Sequence, residues 1–218
     1  MGKSHFGRRV SGVGTSGRFI TLEGGEGAGK STLLQGLAVE LAGQGLEVVV
    51  TREPGGTSLG SELRSLLLTS GHAIDPVAEL LLYGADRAQH LTEVVRPALD
   101  RGAWVLCDRH ADSLVAYQAY GRGLPRDLVD RVNALATGGL LPDRTLWLDL
   151  PVEEGLRRAA ATRGPDRLEA AGLAFHERVR AGFASLACES PDRIVRIEAT
   201  RSPEEVLAAA VEILAELG

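Results

Sequence analysis

Lysine is nearly missing from this chain. Of its 24 basic residues only Lys3 and Lys30 are lysines, and arginine supplies the rest. No lysine follows Lys30, so an Asn-Lys-x-Asp element for reading guanine is excluded, and with it the usual GTP switch. Cysteine is scarce as well. Cys107 and Cys188 are too few for a disulfide framework or a zinc site, and this usage suits a reduced, cytoplasmic chain. No apolar run approaches the ~20 residues that a membrane span needs. Cationic excess is also lacking. The net charge of −5 argues against a nucleic-acid binder, but not against local arginines holding small anions. Aromatics make up 4% of the chain, which makes Tyr83, Tyr117 and Tyr120 conspicuous. What is present is 218 residues with 44% hydrophobic and 24% charged content. That fits one globular domain with a sizeable core.

The retained lysine sits in Gly24-Gly25-Glu26-Gly27-Ala28-Gly29-Lys30-Ser31-Thr32, which satisfies the phosphate-loop pattern G-x-x-x-x-G-K-[ST]. An ammonium is a compact point charge on a flexible stem and can reach phosphates across a tight loop where a planar guanidinium would not fit. The context agrees. Arg18 to Glu23 reads as a buried strand, and Leu33, Leu34, Leu37, Ala38 and Leu41 recur at helical spacing after the loop. Glycines let backbone N–H groups converge on phosphate oxygens at a helix N-terminus. A second glycine pattern, Gly12-Val13-Gly14-Thr15-Ser16-Gly17, precedes a strand instead of following one. It reads as part of a flexible tail over residues 1–17, without an apolar signal core.

Strand and helix alternate along the rest. The expected strands are Phe19–Leu22, Glu47–Thr51, Trp104–Asp108, Arg144–Asp149 and Arg193–Ile197. Helical runs are expected at about 30–43, 58–69, 76–100, 125–137, 152–162, 167–188 and 203–217. This order predicts an α/β fold of three layers, a five-stranded parallel sheet with helices on both faces. Binding sites in such sheets lie beyond the carboxyl ends of the strands, and polar residues gather there in this chain.

Ser31 is placed to offer its hydroxyl to Mg²⁺. Asp108 ends an apolar strand and suits the metal-shell acid. Asp149 ends another and is its rival, with a helix cap as the bland reading; Arg109 beside Asp108 favours the former. Arg52 and Arg109 each follow a buried strand and together suit a clamp for a second phosphate. Tyr83 and Arg87 are four apart on one helical face, a plane and a guanidinium suited to a nucleobase. Arg157, Arg158, Arg163 and Arg167 surround Gly164-Pro165-Asp166, which suits a lid over about 157–169 that brings an arginine to the transferring group.

Several stretches together resemble the bacterial thymidylate kinases. They are Phe19–Thr32, Thr51–Thr57, Glu79–Arg87, Asp108–His110 with Ala116-Tyr117-Gln118, Gly121-Arg122-Gly123, and Asp166-Arg167-Leu168-Glu169. The resemblance spans nearly everything after the tail and implies a P-loop NTPase fold over 18–218. It implies a homodimeric kinase that phosphorylates dTMP to dTDP with ATP and Mg²⁺, with no nucleic-acid or membrane partner. By position, Gly24 to Thr32 hold the donor, with Lys30 on its phosphates. Arg52 and Arg109 hold the dTMP phosphate, Tyr83 stacks on thymine and Arg87 bonds its edge. Gln118 and Ser113 lie near the base, and Glu26 near the sugar 3′-hydroxyl. Gly27 stands where another form of the family has an arginine, which leaves the catalytic arginine to the lid, with Arg158, Arg163 and Arg167 as candidates. Two departures stand out: the stacking position is usually Phe, and Ala159-Ala160-Ala161-Thr162 replaces further lid arginines. Another nucleoside monophosphate or small-molecule P-loop kinase, and a non-enzymatic P-loop module, are the alternatives. The Arg-Glu-Pro-Gly-Gly-Thr element argues against the first.

Overall fold

The structure is a computed structural model and describes residues 17–69, 73–162 and 171–217. The expected tail, apart from Gly17, and the lid arginines Arg163 and Arg167 lie outside the described residues. Strands β1 (Arg18–Glu23), β2 (Val48–Arg52), β3 (Trp104–Asp108), β4 (Arg144–Asp149) and β5 (Ile194–Glu198) form one sheet in the order β2-β3-β1-β4-β5. Every pairing is parallel. The five expected strands are therefore present, with ends moved by a residue or so.

β1 lies at the centre, and Phe19 to Glu23 are all buried on it. A strand buried on both faces must be covered on both. Ile20 and Leu22 face α1 (Lys30–Gly43) and α9 (Pro203–Ala215), through Leu33, Leu37, Val206 and Ala210. Phe19 faces the opposite layer with Leu91, Val95 and Ala98. Thr21 and Glu23 share that side by the two-residue period of a strand and are polar. The opposite layer also includes α2 (Ser58–Thr69), α3 (Pro76–His90), α6 (Arg126–Thr137) and α8 (Leu173–Glu189), which pack through Leu68, Leu80, Val129 and Phe183; α7 (Val152–Thr162) runs against α8.

Local signals place the helix ends. Asp75 accepts from Val77 N ahead of Pro76 in α3, and Ser202 and Glu205 form a reciprocal box at the start of α9. The expected run 76–100 divides into α3, a π-helical turn Leu91–Val95 and α4 (Arg96–Asp100). Pro97 lacks the N–H that a continuous α ladder needs, and the wider turn precedes it. One element was not expected. α5 (Ala111–Leu114) follows β3 and continues as a π-helical segment Val115–Gly121.

Candidate active site

A cleft of about 670 Å³ opens beyond the carboxyl ends of the strands. Its floor is Glu26 through Thr32. Arg52, Tyr83, Arg87, Asp108, Arg109, Ser113, Gln118 and Arg158 line it as well. The structure thus gathers most of the expected donor and acceptor residues, with Arg158, around one space. Gly24 and Gly25 stand behind the floor and turn their carbonyls to Lys30, whose ammonium donates to them at 3.1 and 2.8 Å. Burial lowers the Lys30 pKa, and Arg109 adds to this against Asp108, Glu26 and Glu23.

The loop packs backbone to backbone on α7. Gly27 has φ +66, and a Cβ there would lie 2.0 Å from the Gly155 carbonyl oxygen. A Cβ on Gly155 would lie 2.4 Å from the Glu26 carbonyl oxygen. No larger residue fits at Gly27 with α7 in this position, so an arginine there is excluded on steric grounds.

Ser31 Oγ lies 3.5 Å from Asp108 Oδ2, and Asp108 Oδ1 is buried with no partner among the described residues. An all-oxygen pair with an orphaned carboxylate oxygen suits a hard divalent cation. Asp149 is otherwise engaged. Arg180 and Arg196 donate to it at 2.7 and 2.8 Å. Burial would raise its pKa, but those two arginines lower it overall.

Arg109 joins the two halves of the cleft. It adopts φ +73, an uncommon backbone for a non-glycine residue. Its Nη1 donates to Gly24 O at 3.0 Å and Ser113 Oγ at 3.2 Å, and its Nη2 to Glu26 at 2.6 Å. It also lies over the Tyr117 ring at 4.9 Å, whose hydroxyl donates to Glu26 at 2.9 Å. Glu26, expected near the sugar, is therefore braced between Arg109 and Tyr117. Ser113, expected near the base, commits its hydroxyl to Glu23.

Arg87 is not a loose guanidinium. Its Nε donates to Glu53 and its Nη1 to Asn133, both at 2.8 Å. Glu53 Oε1 also accepts from His90 and His110 Nδ1 at 2.9 and 3.0 Å. Burial would raise the Glu53 pKa, but Arg87, His110 and His90 hold it well below the carboxylate range. Asp86 supports the same loop by accepting from Gly55 N at 3.0 Å. Burial and the charge of Glu53 push Asp86 up to about 6. Glu53, His90 and Cys107 come close enough to surround a metal ion. Hydrogen bonds already account for that cluster, Arg87 adds a cation to it, and burial keeps the Cys107 thiol protonated. Glu53→Ala would leave Arg87 buried and unpaired. The expected loss is about 3–5 kcal/mol of unfolding free energy in urea; a loss below about 1 kcal/mol would deny the network this role.

Gln118 is oriented by Glu79, which accepts from its Nε2 at 2.8 Å and from Arg122 at 3.1 Å. On α7, Arg158 donates to Glu154 at 2.7 Å and to Ala199 O at 3.1 Å. Arg157 is mostly exposed and pairs with Glu154.

The sequence reading missed four carboxylate or phenol roles: those of Glu23, Glu53, Glu79 and Tyr117. Glu23 ends an apolar strand just as Asp108 does, so the same signal would have found it. It is completely buried, and burial with the charge of Asp112 pushes it up to about 7 against Ser113, Arg109 and the His110 N–H.

The sequence pattern described as thymidylate kinase matches residues 22–210. A thymidylate kinase of Gloeobacter violaceus is 56% identical over 200 residues, covering 89% of this chain and 94% of the relative. One of Deinococcus radiodurans is 51% identical over 204 residues, covering 94% and 99%. The crystal structure of thymidylate kinase from Ehrlichia chaffeensis superposes with a TM-score of 0.74 at 33% identity, covering 91% of this chain and 99% of that one. With the sheet order, the phosphate loop and the cleft already in place, these matches show that the chain belongs to the thymidylate kinase family.

Proposed function

We infer that this chain transfers the γ-phosphoryl group of ATP to dTMP, giving dTDP and ADP. A dTMP phosphate oxygen forms the new bond to Pγ as the bond from Pγ to the bridging oxygen of ADP breaks. That oxygen is already anionic, so the task of the protein is positioning and charge neutralisation. The supporting observation is that Lys30, the Ser31–Asp108 pair and Arg109 line one cleft together with Tyr83, Arg87 and Gln118.

Lys30 releases the Gly24 and Gly25 carbonyls to hold the donor phosphates. Arg52 and Arg109 hold the acceptor phosphate. Tyr83 stacks on the pyrimidine, Arg87 and the Glu79-oriented Gln118 read its edge, and Glu26 lies by the sugar. Arg158 is the lid candidate within reach, with Arg163 and Arg167 beyond the described residues. Ser31 and Asp108 would hold Mg²⁺, which neutralises charge on the β- and γ-phosphates when bound.

The test is ADP release with ATP, Mg²⁺ and each of dTMP, dUMP, UMP, AMP and GMP. dTMP is expected to be fastest. Faster release with AMP or GMP would overturn the substrate assignment.

The chain acts as a homodimer through the outer faces of α2 and α3. Support comes from Leu66, Val77 and Leu81, which leave large apolar side chains exposed on these neighbouring helices. Leu81→Glu is expected to convert a dimer to a monomer in analytical ultracentrifugation. A parent chain sedimenting as a monomer at micromolar concentration would contradict this. None of the described helices is long and apolar enough to cross a membrane, and the free thiols of Cys107 and Cys188 suit a reducing cytoplasm.

A further inference from the structure

We propose that Glu23 is a positioning residue for phosphoryl transfer: it caps α5 from the end of β1 and, through the Ser113 hydroxyl, sets where the Arg109 guanidinium lies. This rests on the assignment of Arg109 to the acceptor phosphate.

The helix that carries Ser113 and leads to Tyr117 and Gln118 has no cap of its own, since His110 at its N-cap offers no side-chain bond. Glu23 supplies one from another strand. Its Oε1 accepts from His110 N at 2.8 Å and Ser113 N at 3.2 Å. The backbone of Arg109 is bracketed by the same strand end, because Arg109 N donates to Leu22 O at 3.0 Å and the next N–H donates to Glu23. This holds a residue at φ +73, a conformation that persists only where its surroundings enforce it.

The side-chain link has a fixed direction. Ser113 Oγ donates its single proton to Glu23 Oε2. Its lone pairs then face Arg109 Nη1, which donates to it at 3.2 Å. Burial and Asp112 push Glu23 up to about 7, so above that pH the carboxylate is ionised, accepts only, and keeps the hydroxyl oriented this way. Among the described residues no arginine bonds Glu23 directly; its partners there are Ser113 and the His110 N–H. A completely buried carboxylate without an ion-pair partner is expensive for the fold. A neutral side chain of the same shape would meet most of the capping need more cheaply. The negative charge is explained by what it does to Ser113 and Arg109.

Glu23→Gln tests this. The amide nitrogen facing Ser113 donates, so the hydroxyl proton turns toward the guanidinium and opposes it. At pH 8, where Glu23 is ionised, calorimetric dTMP affinity is expected to fall about tenfold or more, the scale of one hydrogen bond to a charged group. ATP affinity should stay within about twofold, and Tm at pH 8 should equal or exceed that of the parent. Ser113→Ala removes the link without touching the buried charge and should show the same dTMP-selective loss. In the double variant the Glu23→Gln change should add less than about twofold. Parent-like dTMP affinity in both single variants, equal losses for dTMP and ATP, or full additivity would each overturn the relay. Arg109→Ala separates the two assignments. If it loses dTMP selectively while Glu23→Gln does not, the relay alone fails. If it loses both ligands alike, the acceptor clamp fails and takes the relay with it.

Discussion

Lys30→Ala is expected to lower kcat by about a thousandfold or more, the upper range for removing one preorganised donor from a transition state, while leaving the fold in place. The ammonium is buried, with 8% of the residue exposed, yet its bonded partners are two carbonyls of its own loop, Gly24 and Gly25. Neither carbonyl belongs to a side chain that would be left charged. Arg109 also donates to the Gly24 carbonyl, so that oxygen keeps a partner in the variant. The structural cost is therefore small and the chemical cost large, because no other lysine exists among the residues that line the cleft. Urea unfolding and coupled ADP release, run on the same preparation, separate the two. Near-parent turnover would remove Lys30 from the donor site.

Arg109→Ala is expected to weaken dTMP binding by about a hundredfold or more, as for the loss of a charge-assisted, desolvated contact. ATP binding should change by only a few fold. Arg109 touches the loop through Gly24 O and Glu26, but Lys30 also donates to Gly24 O. Its distinctive neighbours beyond the loop are Ser113 and Tyr117. Arg109→Lys should recover little, since a single ammonium cannot bond Gly24, Ser113 and Glu26 in the fork geometry seen here. Calorimetric titration with each nucleotide reads this directly. Equal losses for ATP and dTMP would take Arg109 out of the acceptor clamp.

Much of this arrangement is legible along the chain, and the reason is locality. β1, the phosphate loop and α1 are contiguous, so apolar periodicity, glycines and Lys30 all report on the same stretch, residues 18–43. The five parallel strands are legible because each is a short apolar run ending in polar residues. The run at 76–100 kept its helical period across Pro97, so periodicity alone joined α3 and α4. The π turn between them depends on a missing N–H that a hydrophobic pattern does not register.

What was not legible depends on distant partners. α5 is four residues long and takes its cap from Glu23, 87 positions earlier. Nothing near Ala111 signals a helix start. Asp108 and Asp149 look alike in sequence. They differ because Arg180 and Arg196, 31 and 47 positions away, occupy Asp149. The expectation that Arg87 bonds the base edge did not include Glu53 and Asn133, which commit two of its nitrogens. Sequence shows which charges reach the sheet edge, whereas their pairing follows from packing.

The central claim is that one cleft holds an adenosine triphosphate tail on the Lys30 loop and a thymidine monophosphate on the Arg109 side at the same time. An adenosine and a thymidine joined 5′ to 5′ through five phosphates would span both subsites. Calorimetry with Mg²⁺ is expected to show one molecule bound per chain, at least about tenfold tighter than ATP, because the two halves bind as one ligand. That binding should be lost in both Lys30→Ala and Arg109→Ala. Affinity no greater than that of ATP, unchanged by Arg109→Ala, would contradict a shared cleft.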